Sequence, residues 1–223
     1  MLKYKCLIFD HDDTVVNSTA TIHWPCFVEF LKEYFPDKEC SLENYFLKNF
    51  HPGFIEMCKE EYGLTDADLD VEVRFWQDYV KNHIPKAYPG VREIMERQRK
   101  EGGLLAVISH SFDFNILRDY EANGLPKPDA VYGWEIPPES RKPKPWAIFE
   151  IMRRFDLSPS DILVIDDLKP GFDMARAAGV DFAAAGWAYD VPEIETFMRE
   201  NCRYYMKTVE DLSAFLVTGD RSR

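Results

Sequence analysis

Five short, almost wholly apolar runs constrain the fold of this chain more than any other feature. They are Cys6–Phe9, Leu104–Ile108, Ala130–Tyr132, Ile162–Ile165 and Phe182–Ala185. Polar residues barely alternate with apolar ones inside them, which marks strands buried on both faces. Amphipathic helical patterns separate the later runs, at Val91–Lys100, Phe112–Ala122, Trp146–Phe155 and Phe172–Ala178. Buried strands alternating with helices predict an α/β fold: a doubly wound, Rossmann-like parallel sheet covered on both faces. A strand–helix unit at Tyr204–Phe215 closes the pattern, and Gly219–Arg223 reads as a frayed tail.

Between the first and second runs the pattern changes. Residues 17–86 show helical periodicity and almost no strand signal. Trp24, Phe27, Phe30, Leu31 and Tyr34 recur at helical spacing, as do Leu69, Val73, Trp76 and Val80. A crossover of that length exceeds one helix and predicts an inserted all-α subdomain. Pro85 and the Pro89-Gly90 pair mark its exit, and His51-Pro52-Gly53 reads as a turn between two of its helices. The expected division is a core of 1–16 and 87–223 with a helical insert of 17–86.

Charge narrows the classes of function. The 223 residues carry 27 Lys+Arg against 39 Asp+Glu, a formal net charge of −12. That balance argues against nucleic acid and against anionic membranes as partners, since both need a basic surface. The insert is acidic too, with 7 Lys+Arg against 13 Asp+Glu. The five cysteines (Cys6, Cys26, Cys40, Cys58 and Cys202) are scattered and form no C-x-x-C pair. They suit a reduced, cytoplasmic protein better than a disulfide or zinc scaffold. The first apolar run is too short for a leader, and no later one approaches a membrane span.

The chemistry lies at the strand ends. Phe9-Asp10-His11-Asp12-Asp13-Thr14 sets three carboxylates at the carboxyl end of the first strand, where open α/β sheets bind ligands. Like charges so close call for a cation or a shared proton, and hard oxygens suit Mg²⁺. A solvated acidic turn is the plainer alternative. A second acidic pair, Asp166-Asp167, ends the Ile162–Ile165 run. Helix capping would account for one of those aspartates, not for two converging pairs. Ser109 ends the Leu104–Ile108 run, either as a ligand-facing hydroxyl or as a helix N-cap. Arg141-Lys142-Pro143-Lys144-Pro145 supplies cations ahead of a helix; the alternative is an ordinary surface charge.

These residues, taken in order, resemble the four motifs of the haloacid dehalogenase-like hydrolases. The resemblance runs through nearly the whole chain. Tyr88-Pro89-Gly90-Val91 and Asp173–Gly179 are similar to phosphatases of the subfamily with a helical cap after the first motif, and 17–86 would be that cap. Gly186-Trp187-Ala188-Tyr189 and the closing strand–helix unit are similar to the phosphoglycolate phosphatase group. The resemblance implies that Asp10 attacks phosphorus and that Asp12 serves as general acid and base. It implies that Ser109 and Lys142 hold the phosphoryl oxygens, with Lys144 as the fallback for Lys142. Mg²⁺ would sit among Asp10, the Asp12 carbonyl, Asp166 and Asp167. The partner implied is a small-molecule phosphate monoester, with the chain a monomer or homodimer. Asn17, Ser18 and His110, beside the motifs, are the candidates for facing substrate, and the acidic insert disfavours a highly anionic one.

Three departures stand out: Asp13 where the family has Gly, Leu168-Lys169 after the acidic pair, and a second lysine at 144. Asp tolerates left-handed backbone better than most residues, so the Asp13 turn is expected to survive. Family dehalogenases lack the second aspartate of the first motif; its presence as Asp12 favours phosphate chemistry. Phosphomutases keep it and usually add a His on the cap, at an offset that Ile22 fills here; His23 comes one place later. One residue turns a helix by about 100°, so His23 is expected at the surface or core of the insert. A silent protein that retains the fold is the competing class.

Overall fold

The computed structural model describes residues 2–217, so the tail expected at Gly219–Arg223 lies outside the described residues. Along the chain, β1 (Cys6–Phe9) and β2 (Val16–Asn17) precede α1 (Trp24–Tyr34), α2 (Leu42–Phe50), α3 (Phe54–Glu60) and α4 (Asp66–Val80). Then come β3 (Lys86–Ala87), α5 (Val91–Lys100), β4 (Leu104–Ile108), α6 (Asp113–Ala122), β5 (Ala130–Tyr132) and α7 (Trp146–Phe155). The chain continues through β6 (Ile162–Asp166), α8 (Lys169–Ala178), β7 (Asp181–Ala185), α9 (Pro192–Asn201), β8 (Tyr204–Met206) and α10 (Val209–Val217).

Six strands form one parallel sheet in the order β5-β4-β1-β6-β7-β8. Strand order reverses around β1, the arrangement that opens a ligand crevice at the carboxyl ends. Register fixes what meets there. Phe9 pairs level with Val107 and with Ile165, so Asp10, Ser109 and Asp166-Asp167 leave the sheet at one end. Successive β1 side chains feed opposite faces, as the pleat requires. Cys6 and Ile8 pack with Ile148, Ile151, Met174 and Ile194 of α7, α8 and α9. Leu7 and Phe9 pack with Ile94, Ile116 and Leu212 of α5, α6 and α10.

The segment between β2 and β3 is helical and has its own apolar centre, including Phe27, Phe30, Leu31, Met57, Cys58 and Leu69. A Thr65–Asp68 capping box starts α4. Two of the insert's aromatics belong elsewhere: Phe46 and Phe50 of α2 join the cluster on one face of the sheet. The antiparallel β2–β3 ribbon, two residues on each side, closes the base of the insert. It is too short to show alternation in sequence. Helix α8 starts three residues before the apolar periodicity does, with Pro170 in the first turn where its missing N–H costs nothing. Among the described residues the five cysteines are buried and free, and no helix is long and apolar enough to cross a membrane.

Candidate active site

Asp10 leaves β1 with its backbone N–H donating to the Ile165 carbonyl at 2.9 Å, so the sheet ladder holds its main chain. Its carboxylate meets Lys142, whose Nζ donates to Asp10 Oδ1 at 2.7 Å and to Asp166 Oδ2 at 2.9 Å. All three side chains are buried. Burial works against the ammonium charge, but Asp10 and Asp166 outweigh it and hold Lys142 above the usual lysine range. Lys144, two residues on, is exposed.

Asp10, Asp166 and Asp167 each bring a carboxylate oxygen within 4.8 Å of the others. Burial raises Asp166 to about 6 against the pull of Lys142. Burial and the crowding of Asp166 and Asp10 push Asp167 well above the carboxylate range. Lys142 touches two members of this trio and leaves the third without a cation. Three converging hard oxygens with surplus negative charge fit a divalent cation that prefers oxygen ligands. Thr14 Oγ1 donates to Asp167 Oδ1 at 3.0 Å and orients it. Gly171 of α8 packs on Asp166: a Cβ there would lie 2.1 Å from its carboxyl carbon, so only glycine fits.

Asp12 has different neighbours. Its Oδ1 accepts from Ser18 Oγ at 2.7 Å and from His23 Nε2 at 2.9 Å, and its Oδ2 accepts from Ser111 Oγ at 2.5 Å. Trp76 Nε1 donates to His23 Nδ1 at 2.9 Å. Indole is a donor only, so Nδ1 is the acceptor and Nε2 carries the proton that points at Asp12. Burial alone would raise Asp12; His23, with Ser111, holds it well below the carboxylate range.

His23 therefore corrects the sequence expectation. It lies neither on the surface nor in the apolar centre of the insert, but on Asp12. The cause is local: Thr19–His23 is a π-helical turn, in which the His23 N–H donates to the Ser18 carbonyl five residues back. The wider turn absorbs one extra residue that an α-helix would convert into rotation.

Asp13 adopts the left-handed conformation, with φ 56°. Its Oδ1 accepts the Thr19 N–H at 3.1 Å, which directs it toward the start of the π-turn and away from the carboxylate trio. Ser109 is buried one strand over from Asp10, its Oγ accepting the Ser111 N–H at 3.1 Å; the N-cap of α6 is Phe112. Of the substrate-facing candidates, Ser18 joins Asp12. Asn17 is half-buried, its carbonyl accepting Thr21 Oγ1. His110 is exposed, with Nε2 3.0 Å from the Lys142 carbonyl and its ring edge-on to Trp134. The motifs read from sequence do not include Ser111; Thr14 stands inside the first motif, and Trp76 is readable there either as a pocket-lining aromatic or as core. The Ser109-His110-Ser111 repeat, two hydroxyls on one side of a strand end, was the available signal for Ser111.

Two acidic strand ends thus meet a buried lysine, and a helical insert reaches one of the aspartates. Residues 7–185 match the model of the haloacid dehalogenase-like hydrolases. The chain belongs to that family. It is 25% identical over 207 residues to the phosphoglycolate phosphatase of Haemophilus influenzae (strain 86-028NP), covering 87% of this chain and 92% of that protein. The phosphoglycolate phosphatase of Mesorhizobium japonicum is 28% identical over 141 residues, 62% of each chain, so that match spans less than two thirds of its length. Among solved structures, a chain from Bacteroides fragilis described as a haloacid dehalogenase-like hydrolase superposes with a TM-score of 0.78. It shares 22% identity over 94% of this chain and 100% of its own, a likeness of fold. The chain is thus a hydrolase of this family with phosphatase relatives.

Proposed function

We propose that the protein is a Mg²⁺-dependent phosphatase that hydrolyses a small phosphate monoester through an aspartyl-phosphate on Asp10. One observation carries the reading. Two aspartates two residues apart are held for different work, Asp10 against a buried ammonium and Asp12 against hydroxyl and imidazole donors. A nucleophile beside positive charge can meet an anionic phosphoryl group. A carboxylate held by hydroxyl and imidazole donors is set to take up a proton and, once protonated, to pass it on.

In the first step an Asp10 oxygen bonds to phosphorus and the ester P–O bond breaks, with Asp12 in its protonated form giving that proton to the leaving oxygen; the second step returns it. In the second, Asp12 takes a proton from water as that water attacks the aspartyl-phosphate and the Asp10 O–P bond breaks. The three-donor setting of Asp12 suits this second step, because it favours the carboxylate. Ser109 and Lys142 hold phosphoryl oxygens. Asp10, Asp166 and Asp167, with the Asp12 carbonyl, would hold Mg²⁺, which supplies charge neutralisation between two anions. Segment 17–86 serves as a cap over the 1–16 and 87–223 core, and Ser18 and His23 are its contacts with the chemistry. The acidic surface and the free, buried cysteines support a cytoplasmic setting.

Beryllium fluoride trapping tests the reading: the adduct should form on Asp10 in the presence of Mg²⁺, and an adduct elsewhere overturns the assignment. Wild type and Asp10→Asn sharing the same negligible turnover across a broad phosphate-ester panel would instead support the silent alternative.

His23 favours a second reading. Its contact with Asp12 meets the feature whose offset spoke against a phosphomutase. Phosphorus NMR separates the two: a phosphatase releases inorganic phosphate from a sugar monophosphate. A mutase primed with a trace of sugar bisphosphate returns the phosphate on another hydroxyl.

A further inference from the structure

The loop after β7 touches both halves of the molecule. Tyr189 Oη donates to the backbone carbonyl of Asp167 at 2.9 Å. The Tyr189 ring packs on Phe46 of α2, with centroids 4.3 Å apart. One residue thus joins a helix of the insert to the turn that carries a candidate metal ligand. The same loop reaches Asp167 by a second route. Trp187 Nε1 donates to the Thr14 carbonyl at 3.2 Å, and the Thr14 hydroxyl donates to Asp167 Oδ1. Beside Phe46, Phe50 of α2 lies 5.2 Å from the Phe197 ring of α9. Helix α2 therefore seats two aromatic side chains on the core, and the first bears on the residue that holds Asp167.

We propose that Tyr189 is a positioning residue through which the seating of α2 on the core sets Asp167 for the divalent cation. This rests on the metal reading above and adds a direction to it. If seating of α2 orders the Asp167 turn, metal binding must in return hold α2 on the core by the same factor, because coupling between two sites is reciprocal. The ring and the hydroxyl do separate parts of the work. Tyr189→Phe keeps the surface that carries Phe46 and removes the donor to Asp167. Phe46→Leu keeps an apolar side chain in the cluster and loosens the ring contact.

The test uses the full chain and reads Mg²⁺ binding by titration calorimetry, apart from turnover. Each single variant should bind Mg²⁺ at least about 5-fold more weakly than wild type, the low end of typical couplings. The double variant should be no weaker than the weaker single, since both changes cut one path. Hydrogen exchange gives the reverse reading: Mg²⁺ should slow the amides of residues 42–50 in wild type and leave them unchanged in Tyr189→Phe. The proposal is overturned by single variants within twofold of wild type in Mg²⁺ affinity. It is equally overturned by effects that multiply in the double variant, or by α2 amides indifferent to Mg²⁺ in wild type. Tyr189→Phe loses a single oxygen, so it keeps the test valid even where Phe46→Leu disturbs the insert. A wild type that binds no Mg²⁺ sinks the metal reading as well; a metal-binding wild type with insensitive variants sinks the coupling alone.

Discussion

Asp10 is held by the core alone, whereas Asp12, two residues later, is held largely by the helical insert. The partners of Asp10 are Lys142 and the Ile165 carbonyl, both fixed to the sheet or to the loop before α7. Asp12 has one core partner, Ser111, and two from the insert, Ser18 and His23, with Trp76 behind His23. Asp10, Lys142 and Asp166 thus meet at the sheet end through core residues alone, while the third carboxylate, Asp167, is linked to the insert through Tyr189. Asp12, to which we assign the proton transfers, has its full set of donors only when the insert is in place. That division lets substrate entry and chemistry use one set of charges without requiring both at once.

Breaking the core half should have the largest effect. Lys142→Ala leaves Asp10 and Asp166 buried without their cation, and turnover of p-nitrophenyl phosphate should fall by at least about 10³-fold. Retention of a tenth of the activity would show that the ammonium is not part of the reacting site. Breaking the insert half at the site should cost less. His23→Ala should lower kcat by about 10²-fold with a much smaller change in KM, since His23 acts through Asp12 rather than on the phosphate. An effect confined to KM would move His23 from proton handling to substrate binding.

The insert also carries a pH-dependent weakness. Glu72 of α4 is 5% exposed, and burial raises it to about 7 against a small opposing pull from His23. Its folded pKa lies above its ordinary value of 4.5. The associated stability is therefore full below that lower value and is lost as pH rises through about 7. The loss amounts to about 3 kcal/mol by pH 8. Thermal midpoints measured from pH 4 to pH 8 should fall less steeply for Glu72→Gln than for wild type, the buried carboxyls of the site keeping a slope of their own; parallel curves would remove Glu72 as a cause. The smallest effect is expected at Trp76→Phe, which keeps a ring but frees His23 to swap tautomers. Turnover should drop several-fold, about the worth of one hydrogen bond, and an unchanged rate would show that His23 needs no orienting partner.

The core half was legible in sequence because its physics is local. Buried parallel strands lack polar alternation, so the apolar runs Cys6–Phe9, Leu104–Ile108 and Ala130–Tyr132 coincide with their strands, and β6 and β7 are each one residue longer than their runs. The acidic pairs stood at strand ends, and register alone brings those ends together. The insert's half of the site was hidden for two reasons. A π-turn is a pattern of backbone hydrogen bonds, and residues 19–23 carry no side-chain signature for it. The partners of His23 are long-range: Trp76 is 53 positions away, and periodicity placed it only on a helix face. The seating of Phe46 and Phe50 on the core escaped for a related reason, since an apolar helical stripe does not say which of two apolar centres it will join.

The π-turn at Thr19–His23 also bears on how the chain tolerates changes of length. It takes up an added residue at the mouth of the site while the imidazole stays at its station. A deletion between Ser18 and His23 would therefore restore an ordinary α-helical turn and still deliver the ring to Asp12. The same deletion a turn further along, inside α1, would instead swing the packed face of that helix away from Phe27 and Phe30. Length can vary where the hydrogen-bond ladder is already wide, and hardly at all one turn beyond it.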